Sequence, residues 1–246
     1  QFSGLPNFNW LDGLRDEMGF KKQKQVLSFS NNPLLKNTNI LAKLYEFVAN
    51  DCVLNIVYQR FTESTPENFI LHPYLLKEYN NRWYLVGWQP DKDRIFTLAI
   101  DRIIEFEHLA EEKFNPYKGN IEDHFKDTFG ITVYDDSSPE DIIFWASNII
   151  VPYIETKPFH QSQSEDLLDE LSLRTKYELP DDGRLYKIRC TLNLELEQAL
   201  TRHFGDLIVL EPLKLRSSIV EKVRIMQKRY ENLENNKPTN IEFAKT

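Results

Sequence analysis

From Cys52 to His108 the chain alternates apolar and polar positions with a period of two, broken at short intervals by reversal signals. The first run, Cys52–Phe61, sets Leu54, Ile56, Tyr58 and Arg60 on one face and Val53, Asn55, Val57, Gln59 and Phe61 on the other, as a strand does. Further strands are expected at Phe69–Tyr79, Arg82–Gln89, Arg94–Ile100 and Ile103–His108. Asn80-Asn81 and Pro90-Asp91-Lys92-Asp93 supply turns, being residues that tolerate or initiate reversals. An antiparallel meander this compact buries a face by curling into a small barrel or by packing on another layer. Upstream, Ile40, Leu41, Leu44, Phe47 and Val48 recur at helical spacing, which predicts a helix over Thr38–Asn50 with Thr38 or Asn39 as its N-cap. Val26–Phe29 is a short strand candidate. Trp10, Leu14 and Met18 share one face of a helical stretch too short for a helix-turn-helix.

Beyond a polar boundary at Glu111–Asn120 the pattern changes. A short helix is expected over Ile121–Phe129, and a strand over Asp141–Trp145. Ile149–Thr156 reads as a helix with Pro152 in its first turn. Phe159–Gln163 is extended, and the acidic run Ser164–Glu170 is disordered or helical. After the turn Pro180–Gly183 come a strand at Tyr186–Leu192 and a helix at Leu194–Phe204 with Gly205 as C-cap. A strand at Leu207–Leu210, stopped by Pro212, and a helix at Leu215–Leu233 end the pattern. The order, close to β-α-β-β-α-β-α, suggests a ferredoxin-like α+β domain with a trailing helix. Gln161–Asp182 is longer than such a domain needs. The expected organisation is a linker over 1–25, a β-domain over 26–112, an α+β domain over 121–235 and a tail over 236–246.

The formal net charge is -8, which disfavours sequence-independent duplex binding by the bulk surface. Any nucleic-acid contact then needs a local group of Arg and Lys. Cys52 and Cys190 each lie in an apolar run and are expected as buried reduced thiols. No segment has the roughly 18–20 apolar residues a membrane span needs, and a cytoplasmic location is the expectation.

Catalytic and cofactor patterns are absent. His72, His108, His124, His160 and His203 form no metal-ligand spacing. No Gly-rich phosphate loop or nucleophile elbow occurs, and Glu111-Glu112, Asp135-Asp136 and Asp181-Asp182 sit beside turns as solvated pairs. No cofactor and no enzymatic activity are expected. The group that stands out is cationic and aromatic. Tyr58 and Arg60 share a strand face, and His72, Tyr74, Arg94 and Arg102 lie on neighbouring strands. Arginine forks onto phosphate, and Tyr or His stacks on a base or donates to an oxygen. The bland alternative is that these are ordinary strand-face residues. Arg102 has a partner reading of its own beside Asp101, which turns the chain or pairs with an Arg. The final helix is basic, through Lys214, Arg216, Lys222, Arg224, Lys228 and Arg229, with Ile219, Val223 and Met226 on its apolar side.

His72-Pro73-Tyr74, then Trp83-Tyr84-Leu85 within RWYLVGW, then Arg94, Phe96 and Asp101-Arg102-Ile103 follow one another in an order that resembles the WYL domain of bacterial transcription regulators. The resemblance implies an Sm-like small β-barrel that senses a ligand, often nucleic acid. It implies a DNA-binding helix-turn-helix upstream, for which residues 1–25 are too short, and a C-terminal extension called WCX downstream. It assigns the sensing face to positions such as Tyr58, Arg60, His72, Tyr74, Arg94 and Arg102, which would take an anionic effector, a nucleotide or single-stranded nucleic acid. Duplex DNA would be bound only through the upstream domain, and paired half-sites favour a homodimer. A non-catalytic dimerisation or protein-interaction module is the other reading.

Overall fold

The computed structural model divides the chain into two units, Gln1–His124 and Phe125–Thr246, and describes residues 40–167 and 169–235. The expectations at Trp10, Leu14, Met18, Val26–Phe29, Thr38, Asn39 and 236–246 lie outside the described residues.

In the first unit, α1 (Leu41–Ala49) precedes five strands: β1 (Leu54–Tyr58), β2 (Glu67–Tyr79), β3 (Arg82–Gln89), β4 (Arg94–Ala99) and β5 (Ile103–His108). They form one antiparallel sheet in the order β4-β3-β2-β1-β5. The two edge strands are joined by only the short turn Ile100–Arg102. A flat five-stranded sheet is about 19 Å across, whereas the four Cα steps from Ala99 to Ile103 reach at most about 14 Å. The sheet is therefore strongly curled.

Beta2 carries the bend. Its first half pairs with β1 and its second half with β3, and the register slips between Pro73 and Leu75. Leu54, Ile56, Phe69, Leu71, Leu85, Phe96 and Leu98 fill the concave side, with Leu41 and Leu44 of α1 packed among them. The expected barrel is thus an open, curled sheet: among the described residues β4 and β5 do not pair. Two features account for the opening. Beta1 and β5 slip register between Val57 and Tyr58, and the Ala99 amide at the end of β4 donates to the Tyr58 hydroxyl at 3.3 Å instead of to a strand.

Asn80 and Asn81 both have positive φ, 50° and 61°, the geometry of a tight two-residue hairpin. Gly87 faces the β2 slip so closely that a Cβ there would lie 2.5 Å from the His72 carbonyl oxygen. Gly87→Ala should cost about 1–3 kcal/mol, as overpacking does. The check is a lower urea midpoint at unchanged slope; an unmoved midpoint would show that β2 yields.

The second unit holds β6 (Glu140–Ala146), β7 (Arg184–Cys190) and β8 (Leu207–Glu211), antiparallel in the order β7-β6-β8. Its helices are α2 (Val151–Thr156), α3 (Glu170–Lys176), α4 (Leu194–Thr201) and α5 (Leu213–Asn235). Asn193 caps α4, accepting from the Leu196 amide at 2.8 Å. The expected second strand of a split β-α-β sheet is not formed as a strand. Its place beside β7 is held by Ser164, which exchanges both backbone hydrogen bonds with Lys187 at 2.9 and 2.8 Å. Gly205 is not the C-cap of α4, which ends at Arg202 in helical geometry; Gly205 lies in the following turn Phe204–Asp206.

One sheet face packs Ile142, Phe144, Tyr186, Ile188 and Val209 against Leu196, Leu200 and Leu215. The other face, with Trp145, Leu185 and Leu210, is covered by Leu167, Leu173, Tyr177 and Leu179. This accounts for the long 161–182 segment. It folds back as a second layer, with Arg174 donating to the Pro180 and Gly183 carbonyls, both at 3.0 Å. In α5 only Leu215 is buried, while Val223, Met226, Tyr230 and Leu233 are exposed. Cys190 is buried and Cys52 half-buried, and both are free thiols. Burial, with the Asp127 charge, pushes the Cys190 thiol up to about 12.

Candidate ligand site

The six cationic and aromatic positions separate into two groups. His72 and Tyr74 belong to the convex side of β2. His72 is buried against Trp88 and Phe114, with ring centroids at 5.0 and 5.9 Å. Its Nδ1 accepts from the Asn115 amide at 3.1 Å. The Tyr74 hydroxyl donates to the Asn115 carbonyl at 2.8 Å, and its ring meets Phe114 and Tyr117. Together they clamp the segment after β5 across the sheet. They do not converge with the arginines.

Burial holds the His72 imidazole below its ordinary 6.5, opposed by the Glu112 charge. The unfolded chain then binds the proton more readily, so stability present above 6.5 is lost as pH falls below it. Protonation also turns the Nδ1 acceptor into a donor and breaks the bond to Asn115. Melting temperature should fall between about pH 7 and pH 5. His203 is depressed in the same direction by burial and Arg202, so His72→Gln should flatten only part of that slope. An unchanged slope would refute the clamp.

Tyr58, Arg60, Arg94 and Arg102 do converge, at one end of the curled sheet. The β1 alternation carries Tyr58 inward, and it is buried. Burial raises its hydroxyl above 10.0, with the charges of Arg102 and Arg60 pulling it back. Phe96 lies on the concave face of β4. Three cations surround its ring: Arg94 Cζ at 4.3 Å, Lys92 Nζ at 5.5 Å and Arg60 Cζ at 5.8 Å. Arg102 Cζ lies 3.8 Å from the ring centroid of Phe61, itself 74% exposed.

Two of these four cations, Arg60 and Lys92, meet two carboxylates. Arg60 Nε is 3.6 Å from Glu63 and 3.5 Å from Glu67, and Lys92 Nζ is 3.9 Å from Glu67. The Nε atoms of Arg60 and Arg102 are buried without a hydrogen-bond partner among the described residues. Arg60 Nε already has Glu63 and Glu67 beside it; a buried donor such as Arg102 Nε is costly to leave unmade and matches an incoming oxyanion. Asp101 both turns the chain and pairs with Arg82 at 3.5 Å.

Lys92, Phe61, Glu67 and Gln89 were not among the sequence candidates. The hairpin pairing of Gln89 with Arg94 is the signal that finds Gln89. Elsewhere, the polar run His160–Gln163 is tied into its own unit: His160 Nε2 donates to the Lys126 carbonyl at 2.8 Å, and Gln163 donates to Ile154 at 3.3 Å. Among the described residues, no cluster of three or more His, Cys, Asp or Glu could hold a metal, and no helix is long and apolar enough to cross a membrane.

The WYL domain family model matches residues 39–108. No curated protein matches the chain. Solved structures similar to it include the proteasome accessory factor B/C of Arthrobacter aurescens, at 14% identity and a TM-score of 0.31, over 77% of this chain and 27% of that one. A CRISPR Cas-related protein is 13% identical with a TM-score of 0.49, over 81% of this chain and 54% of that one. The chain thus spans about a quarter of the first and about half of the second.

Proposed function

We propose, from the premise that residues 39–108 of this chain are a WYL domain, that the protein is the ligand-sensing portion of a bacterial transcription regulator. It binds an anionic ligand, a nucleotide or single-stranded nucleic acid, at the cation-rimmed end of its curled sheet. The observation that carries this reading is the set Arg60, Lys92, Arg94 and Arg102 laid on Phe96 and Phe61. Cations on aromatic faces suit a ligand that presents phosphate and base together. In an acidic chain, long-range steering is weak, so affinity comes from short, directed contacts.

On this reading the first unit is an opened Sm-like barrel. The second is a WCX-like, ferredoxin-like extension whose second strand has shrunk to the Ser164 bridge. The protein is non-catalytic, cytoplasmic and homodimeric, and contacts duplex DNA through a domain other than those described. A plain dimerisation module is the competing reading, favoured by the exposed Val223, Met226, Tyr230 and Leu233 of α5.

Fluorescence anisotropy with labelled single-stranded tetranucleotides, a cyclic dinucleotide and a duplex separates them. Neutralising two to four phosphates should weaken single-strand binding about 7- to 50-fold between 50 and 200 mM salt. Absence of binding to every probe at hundreds of micromolar would end the ligand reading.

A further inference from the structure

Gln89 closes β3 at the rim of the site, and nothing among the described residues uses its acceptor. The residue is 3% exposed, and its Oε1 is buried without a hydrogen-bond partner among the described residues. It pairs directly with Arg94 across the β3–β4 hairpin, as Gly87 pairs with Phe96 and Leu85 with Leu98. Leu85, Phe96 and Leu98 belong to the concave core. Alternation therefore sets Gln89 and Arg94 on that same concave face. The Arg94 guanidinium lies on the Phe96 ring, at the covered end of this face.

We infer that Gln89 is a specificity-determining residue of the site, accepting a hydrogen bond from an N–H of a nucleobase whose phosphate engages Arg94. An anion that draws the Arg94 side chain off Phe96 opens the position across the hairpin from Gln89. A bare phosphate or polyphosphate satisfies the arginines and leaves the Gln89 acceptor unpaired. A base with a free imino or amino group satisfies both. Sites built around a buried acceptor reject ligands that lack the donor, because the acceptor is then left unmade.

The inference rests on the ligand reading above, and the test separates the two. The probes are oligothymidine and oligodeoxyadenosine tetramers, and the same tetramers carrying N3-methylthymine or N6,N6-dimethyladenine. Methylation keeps the stacking face and the phosphates and removes the donor. The wild-type chain should bind at least one parent tetramer about 10- to 100-fold more tightly than its methylated form. Gln89→Met, close in shape but without the acceptor, should bind parent and methylated tetramers alike. Its melting temperature should be unchanged or higher, since an unpaired buried acceptor has been removed.

If the wild type binds the tetramers but does not distinguish methylated from parent, Gln89 is not the reader and the ligand reading stands. The same holds if Gln89→Met keeps the preference, or if its melting temperature drops sharply because the amide is bonded within the fold. If the wild type binds no tetramer, the inference about Gln89 is lost; if it binds no cyclic dinucleotide either, the ligand reading is lost with it.

Discussion

Arg94→Ala should weaken binding of a single-stranded tetranucleotide by about 10- to 150-fold, the loss of one hydrogen bond to a charged group. Arg94 is exposed, and its guanidinium lies at 4.3 Å on Phe96. Its removal takes away a phosphate donor without opening the core, so the melting temperature should hold. Arg94→Lys keeps the charge but not the planar fork and should recover only part of the loss. Arg102→Ala should lose a similar amount, since Arg102 carries a buried unpartnered Nε and caps Phe61. Tyr74→Phe is the contrast. Tyr74 holds Asn115 on the convex side, so affinity should stay at the parent value. If Arg94→Ala and Arg102→Ala both bind as the parent does, the cationic end of the sheet is not the ligand site. If Arg102→Ala unfolds, its charge serves Tyr58 and the turn Ile100–Arg102, and that residue drops out.

Local chemistry made most of the described part of the first unit legible. The period-two alternation located all five strands, and Asn80-Asn81 marked the hairpin, because these signals act over a few residues. The concave or convex side of each residue on β2 was less legible. The strand changes partner from β1 to β3 between Leu71 and His72, and its pairing with β3 slips register between Pro73 and Leu75; no alternation count reveals either. His72 and Tyr74 were grouped with the arginines by strand proximity and by the resemblance, although they face the segment around Asn115. Gln89 was missed for the opposite reason. A lone glutamine at a strand end carries no signal until its pairing with Arg94 is known. In the second unit the second strand was expected at the extended piece Phe159–Gln163. Whether a segment pairs along its length or at one residue is set by tertiary competition. Here Leu167, Leu173 and Tyr177 are drawn onto the second sheet face instead.

The largest loss of stability is expected from Phe144→Ala. Phe144 is fully buried at the centre of β6, in register with Tyr186 on β7 and Val209 on β8. Its ring stacks on Tyr186 at 5.6 Å and meets Phe159 edge-on at 5.6 Å. Truncation removes the contacts of one side chain with both neighbouring strands and with the loop that carries Phe159, and leaves a cavity walled by an antiparallel sheet that cannot collapse without breaking its ladders. A Phe→Ala change of this kind costs about 3–5 kcal/mol, of which the aromatic pairs account for about 0.5–1.5 kcal/mol each. In a unit of this size that corresponds to a melting temperature lower by roughly 10 °C or more. Thermal unfolding followed by circular dichroism checks it. Phe144→Leu should recover more than half of the loss, since it refills most of the volume. A drop of only a few degrees for the alanine variant would mean that Ile142, Tyr186 and Ile188 close over the gap, and that the second unit is held chiefly by the layer on its other face.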